Sequence, residues 1–212
     1  IKPLYYISNE KFFSFSSEIK SFLAINNFKF KLNKDHLSEY FIFKYLMPPN
    51  TLIKDINLIP PGTYITFENN NIIEKTYFDF QNIKKKNYNR INKLEKLEEQ
   101  LKLSVERQLM SDVKLGCQLS GGIDSSLITF FANRLKKKLD TFSILFDEKN
   151  LTEETYIKKV VNDLDLKNYS SKFNYKNFYK DLSNSIWSFD APLSQINSIG
   201  IYNLAKLSKS HV

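Results

Sequence analysis

The sequence has 212 residues, of which 42% are hydrophobic, 15% aromatic and 25% charged, with 5 Gly, 6 Pro and one cysteine. A chain of this size removes roughly 70% of its extended surface from water on folding, so a substantial core is expected, and the composition excludes collagen, low-complexity disorder and a disulfide scaffold. The net charge of +8 does not by itself indicate nucleic acid, because arginine occurs only at Arg90, Arg107 and Arg134 and the basic excess is lysine, accompanied by abundant Asn and Ile.

The opening Lys2-Pro3-Leu4-Tyr5-Tyr6 reads as a strand already under way rather than as a signal peptide, so an internal fragment of a longer protein is expected. Leu4 to Ser8 and Phe12 to Phe15 are predicted strands around Ser8-Asn9-Glu10. Ser17 then opens a predicted helix with Ile19, Phe22 and Leu23 on one face. A second helix carries Leu37, Tyr40, Phe41 and Tyr45 on its apolar side and stops at Pro48-Pro49, since proline donates no helical bond. After Pro60-Pro61-Gly62, Tyr64 to Phe67 and Ile72 to Tyr77 flank Asn69-Asn70-Asn71, whose side chains tolerate positive φ, and a hairpin is predicted. These elements make residues 1–80 an α+β region. Residues 81–92, with Lys84-Lys85-Lys86, are polar and aperiodic and read as a linker.

From residue 93 the pattern changes. Leu94, Leu97, Leu101, Val105 and Leu109 predict an amphipathic helix. Strands are then expected at Val113 to Leu119, Leu139 to Phe146 and Tyr169 to Phe173. Helices are expected at Ile123 to Lys137, at Thr152 to Leu164 with Thr152 as N-cap, at Tyr175 to Phe189 and at Ile199 to Lys209. Such alternation predicts an α/β domain over 93–212, with a parallel sheet and right-handed crossovers. Lys136-Lys137-Lys138 suits a helix C-terminus, where cations meet the negative end of the macrodipole.

The chemistry is concentrated in Ser120-Gly121-Gly122-Ile123-Asp124-Ser125-Ser126, between the first of these strands and its helix. Adjacent glycines let the backbone turn while its N–H groups converge, and the helix start adds unpaired donors and a partial positive charge. An anion is expected there. Asp124 would repel a bare phosphate, so it points either to a bridging Mg²⁺ or to a capping role. The loop lacks the lysine of a P-loop, and the bland alternative is a turn that uses Gly for shape and Ser or Asp for capping.

The loop resembles the pyrophosphatase loop of ATP pyrophosphatases, and Ser111 to Leu119 before it is similar to the corresponding stretch of glutamine-hydrolysing asparagine synthetases. Ile1 to Tyr6 and Ser17 to Lys20 resemble the closing part of that family's glutaminase domain, and Tyr45 to Leu52 and Leu58 to Gly62 resemble the stretch after it. Asp190 to Leu193 and Asn197 to Tyr202 resemble segments before its second ATP motif. The resemblance implies the α+β end of an N-terminal-nucleophile glutaminase domain over 1–80, then a parallel-sheet ATP-pyrophosphatase domain of the adenine nucleotide alpha hydrolase type. It implies MgATP-dependent adenylation of the aspartate side chain, then amidation by glutamine-derived ammonia. Ser120, Gly121, Gly122, Ser125 and Ser126 would bind pyrophosphate, Asp124 would act on the metal through Mg²⁺-ATP, and the backbone of Leu119 and Ile144 would hold adenosine. The partners implied are aspartate, glutamine and ATP, with no nucleic acid or membrane and with room for a homodimer.

The chain departs from the family at Lys114, Cys117 and Asn168-Tyr169, where proline, a small aliphatic and a histidine pair are usual. The glutaminase nucleophile and the second ATP motif lie outside this sequence, so no residue of the chain is assigned as catalytic. Cys117 cannot form an internal bridge and no apolar run reaches the roughly 18 residues of a membrane helix, so a cytoplasmic, structural cysteine is expected. His36 and His211 read as surface histidines. Trp187 and Phe189 read as core packing with Phe178, Leu182 and Ile186. Asp190, before Ala191-Pro192, fits equally a structural turn or an active-site carboxylate.

Overall fold

A computed structural model describes residues 2–85, 89–136, 139–146, 153–195 and 197–212. The chain divides into two compact units, Ile1–Lys85 with Ile186–Ser194, and Lys86–Ser185 with Gln195–Val212.

In the first unit β1 (Tyr5–Ser8) lies between β2 (Phe13–Ser16) and β3 (Asn57–Leu58), antiparallel to both. Ile7, Ile19, Phe22 and Ile56 form the buried core, ringed by partly buried aromatics such as Phe28 and Phe30. The helix expected after Ser17 is a 3-10 helix, Ile19–Ala24, and its N-cap is Glu18. The tighter winding brings residues three apart into line, so Ile19 and Phe22 are buried together while Leu23 turns outward, 48% exposed. Helix α1 (Leu37–Phe43) ends before the prolines, because Lys44 adopts a left-handed conformation at φ 62 and returns its N–H to the Tyr40 carbonyl. Phe41 and Tyr45 are exposed rather than inward-facing. The hairpin forms as β4 (Thr63–Glu68) and β5 (Asn71–Thr76), with Asn69 and Asn70 both at positive φ in the two-residue turn.

Asp190 belongs to the first unit and is structural. It sits at φ 56 and its carboxylate accepts the N–H of Ile19 at 2.9 Å and of Lys20 at 3.3 Å, satisfying the first donors of the 3-10 helix, while the Lys20 ammonium lies 3.1 Å away. Burial alone lowers the affinity of the Lys20 ammonium for its proton, but the bonds to Glu18 and Asp190 outweigh it and the net shift is upward. Trp187 and Phe189 are not core residues. They are 58% and 45% exposed, and the Trp187 ring lies under Lys20 at 5.9 Å, because the residue of this helix that turns inward is the small Ser185.

In the second unit α2 (Arg90–Gln108) is capped by Asn89, whose side chain accepts the Asn92 N–H at 2.8 Å. Only its C-terminal half is covered. Leu101, Val105 and Leu109 pack with Phe131, Ala132 and Leu139, whereas Leu94 and Leu97 are exposed. β6 (Gly116–Gln118), β7 (Asp140–Leu145) and β8 (Lys167–Lys172) form a parallel sheet in that order, with α3 (Ile123–Leu135) and α4 (Glu154–Asp163) as the connecting helices. β6 is shorter than expected because the Ser111 hydroxyl bonds both backbone groups of Val113 and holds a turn there. The expected cap Thr152 lies outside the described residues. A 3-10 turn (Tyr175–Asn177) leads into α5 (Phe178–Phe189), and α6 (Asn197–Lys209) comes last.

Lys114, one of the departures, and His211 both have partners within this unit. Lys114 pairs with Asp140 at 2.6 Å. His211 is not a free surface residue, since its ring centroid lies 3.8 Å from that of Tyr169 and its Nδ1 is 3.1 Å from the Leu207 carbonyl oxygen. His36 has a carboxylate neighbour, Glu39, at 3.5 Å. Among the described residues no helix is long and apolar enough to cross a membrane.

Candidate functional site

The loop after β6 is shaped by its glycines. Gly121 sits at φ +88, and a Cβ there would come within 2.9 Å of the Glu153 carbonyl oxygen and 3.1 Å of the Tyr156 Cβ, so no other residue fits without moving backbone. Gly122 is the N-cap of α3 and carries no side chain to cap it. The N–H groups of Ile123, Asp124 and Ser125 in the first turn therefore have no hydrogen-bond acceptor among the described residues, and the positive end of the macrodipole lies behind them.

The three serines are tied to one another. Ser120 Oγ accepts the Gly122 N–H at 3.3 Å and lies 3.0 Å from Ser125 Oγ, which in turn accepts the Ser120 N–H at 3.2 Å. The Ser126 hydroxyl donates to the Gly122 carbonyl at 2.7 Å, and Ser125 Oγ reaches the same carbonyl at 3.2 Å. Asp124 is exposed in the first turn and, among the described residues, has no hydrogen bond or ion pair, so it does not cap its helix.

Beside the loop lies a cavity of about 340 Å³ beyond the carboxyl ends of β6 and β7, the position where open parallel sheets bind ligands. Its polar edge includes Ser120, Ser125 and Glu153, and its apolar wall includes Phe146, Ile157 and Leu204. Leu119 lines it but is 1% exposed. Its N–H donates to the Phe142 carbonyl at 2.8 Å and its carbonyl accepts the Ser143 hydroxyl at 2.7 Å, which leaves one carbonyl lone pair. Ile144 is different. The bond from Leu119 places the backbone groups of Phe142 on the β6 side, so those of Ile144, two residues on, face the same side just past the end of β6, where no strand residue pairs with them.

Sequence reasoning missed Glu153. It directly precedes α4, its carboxylate Oε2 stands 3.8 Å from where a Cβ on Gly122 would be, and its backbone carbonyl abuts Gly121. The signal available was its position just before the helix that succeeds the second parallel strand, the edge from which such sites are built. Cys117 sits on β6, where burial pushes its thiol pKa up against a smaller opposing effect of Thr129. It is therefore a poor nucleophile at neutral pH.

Residues 96–212 match the family of asparagine synthases and residues 1–78 match the glutamine amidotransferase domain. The chain belongs to the asparagine synthase family. It is 32% identical over 213 residues to the glutamine-hydrolysing asparagine synthetase 1 of Bacillus subtilis, an alignment that takes in the whole chain and 33% of that protein. A putative glutamine-hydrolysing asparagine synthetase 2 of Methanocaldococcus jannaschii is 29% identical over 221 residues, covering the whole chain and 42% of the relative. The amidase chyE of Penicillium rubens is 24% identical over 97% of the chain and 33% of its own length. The chain thus spans between about a third and two fifths of the length of these relatives.

Proposed function

We propose that the protein carrying this chain is a glutamine-dependent asparagine synthetase, and that the loop of residues 120–126 holds the phosphates of ATP. The observation that supports this most directly is the uncapped start of α3, whose free N–H groups stand at the edge of the cavity beyond β6 and β7. In this reading residues 93–212 begin an ATP-pyrophosphatase domain and residues 1–80 close a glutaminase domain, with 81–92 between them.

The aspartate carboxylate has a poor leaving group, so its oxygen attacks the α-phosphorus of ATP, the bond to the β-phosphate oxygen breaks, and pyrophosphate departs to leave the β-aspartyl adenylate. Ammonia released from glutamine then displaces AMP, giving asparagine. The N–H groups of Ile123, Asp124 and Ser125, with the hydroxyls of Ser120, Ser125 and Ser126, receive the charge that develops on the departing pyrophosphate. Gly121 and Gly122 keep the approach clear of side chains. Adenosine lies against the backbone of Ile144, beside Leu119.

The residues fit a magnesium ion. No three protein ligands converge among the described residues, but Asp124 offers an uncommitted oxygen ligand, and magnesium is commonly held by one or two carboxylates plus substrate phosphates. When bound, it would neutralise charge on the phosphates.

The test is product analysis with the natural gene product that carries this chain. Aspartate-dependent conversion of ATP to AMP and pyrophosphate, with asparagine formed, is expected; ADP as the nucleotide product refutes the reading. A relative whose name is not that of an asparagine synthetase supports a second version in which the substrate differs, here another carboxylate as acceptor. ATP cleavage that ignores aspartate but responds to a different acid selects it.

A further inference from the structure

The parallel ladder between β6 and β7 stops one bond early. Its last paired residues are Gln118 and Phe142, and beyond them the Leu119 N–H still donates to the Phe142 carbonyl at 2.8 Å. In a regular parallel ladder the next bond runs from the Ile144 N–H to the Leu119 carbonyl. Among the described residues that bond is not made. The Leu119 carbonyl is taken instead by the Ser143 hydroxyl at 2.7 Å.

The hydroxyl is held in that role from behind. Ser143 is fully buried, and the Asn168 amide donates to its oxygen at 3.0 Å, so the one hydroxyl hydrogen is directed to Leu119. A buried hydroxyl pays for any lost partner, and this arrangement satisfies all of them. The consequence lies in the cavity that Leu119 and Ile144 both line. Strand pairing would have consumed the Ile144 N–H. Left out of the ladder, it stands beside its own carbonyl as a donor next to an acceptor, the pattern that pairs with a heterocycle carrying a ring nitrogen beside an exocyclic amine.

We infer that Ser143 is a positioning residue for the base of the nucleotide: by holding the Leu119 carbonyl it keeps the Ile144 N–H out of the sheet and free to donate to a ring nitrogen. This rests on the reading that adenosine lies against the backbone of Ile144. Ser143 itself does not touch the ligand. Without its hydroxyl the Leu119 carbonyl lacks a donor, and the donor in register to replace it is the Ile144 N–H. The ladder then gains a bond and the cavity loses one.

The experiment uses the natural gene product that carries this chain, unaltered and as Ser143→Ala and Thr141→Val. Thr141→Val removes the other hydroxyl that Asn168 serves and leaves Leu119 untouched, so it reproduces a loss of stability without the change at Ile144. Equilibrium binding is measured with magnesium, for ATP and for inorganic tripolyphosphate, which offers phosphates without a base. Ser143→Ala is expected to weaken ATP about tenfold, the upper end of one net hydrogen bond, and to leave tripolyphosphate unchanged. Thr141→Val changes neither. Hydrogen exchange resolved to single amides supplies the second readout. In the nucleotide-free protein the Ile144 amide exchanges more slowly in Ser143→Ala than in the unaltered protein, because it has gained an acceptor. A hydroxyl that only supports the fold gives the opposite, faster exchange, and moves both ligands together or neither. If the unaltered protein prefers ATP to tripolyphosphate and Ser143→Ala keeps that preference in full, the inference falls and the adenosine reading stands. If the unaltered protein binds the two equally, the adenosine reading falls and this inference with it. The unaltered protein also decides the matter should Ser143→Ala fail to fold: ATP, and not tripolyphosphate, slows exchange at Ile144, and absence of that protection overturns the inference.

Discussion

The Asn168 side-chain amide donates to the Ser143 hydroxyl at 3.0 Å, and the chemistry of both partners fixes which way the amide points. Ser143 has spent its one hydroxyl hydrogen on the Leu119 carbonyl, and Thr141 has spent its own on the Lys167 carbonyl, so each oxygen can only accept. Asn168 supplies one N–H to each. A neutral imidazole has one N–H and could not serve both, which gives the asparagine a reason of its own at this position.

Replacing Asn168 with Asp turns two donors into acceptors facing two lone pairs. The substitution is expected to cost about 2 kcal/mol, within the range for leaving buried polar groups without partners. Urea denaturation measures it, and a midpoint unchanged from the parent contradicts the assigned network.

The two loop glycines differ in what they tolerate. Gly121→Ala places a Cβ against the Glu153 carbonyl at a left-handed φ and should destabilise by about 1–3 kcal/mol. Gly122→Ala, at φ −70 with its nearest neighbour 3.4 Å away, loses only the N-cap preference, about 1 kcal/mol or less. Thermal melts of the pair should rank in that order; the reverse order would show that the loop backbone is not as described.

Glu39 gives the first unit an acid-sensitive contact. Its carboxyl is held below the usual range by the Met47 N–H at 2.6 Å and then by the Asn50 amide at 2.9 Å, with His36 adding a smaller effect. A depressed carboxylate contributes stability that is complete above its unfolded value of 4.5 and is lost as pH falls through its lower folded value. Stability measured from neutral pH into that window should therefore fall less steeply for Glu39→Gln than for the parent. Parallel curves for the two proteins would refute it.

The Cys117 thiol should resist alkylation. Its raised pKa keeps it protonated at neutral pH, and its burial limits access. Iodoacetamide should label it slowly in the native chain and at the rate of a free thiol in denaturant. Equal rates would mean that β6 opens readily.

The parts of the fold legible in the sequence obey local rules. The alternation of apolar strands and amphipathic helices after residue 112 is a repeated period change, and it produced the parallel sheet. The Asn69-Asn70 turn arises from two residues that accept positive φ. The loop glycines were legible for the same reason. The parts that escaped depend on partners distant in sequence. Ile19–Ala24 has the composition of an α-helix, and no local signal announces that Asp190 takes its first N–H groups. Trp187 sits in an apolar helical pattern, yet the side that packs is the one bearing Ser185. Glu153 becomes visible only when the turn of Gly121 brings the two segments together.

The serine bonds to Gly122 also set how the loop can respond to a ligand. Ser126 holds the Gly122 carbonyl twice, through its hydroxyl at 2.7 Å and its N–H at 3.1 Å. Turning the hydroxyl toward a phosphate gives up the first bond and keeps the second, so the carbonyl is never orphaned. If the loop is the phosphate site proposed above, filling it needs only a rotation about one Cβ–Oγ bond, with the second bond holding the main chain of the loop in place.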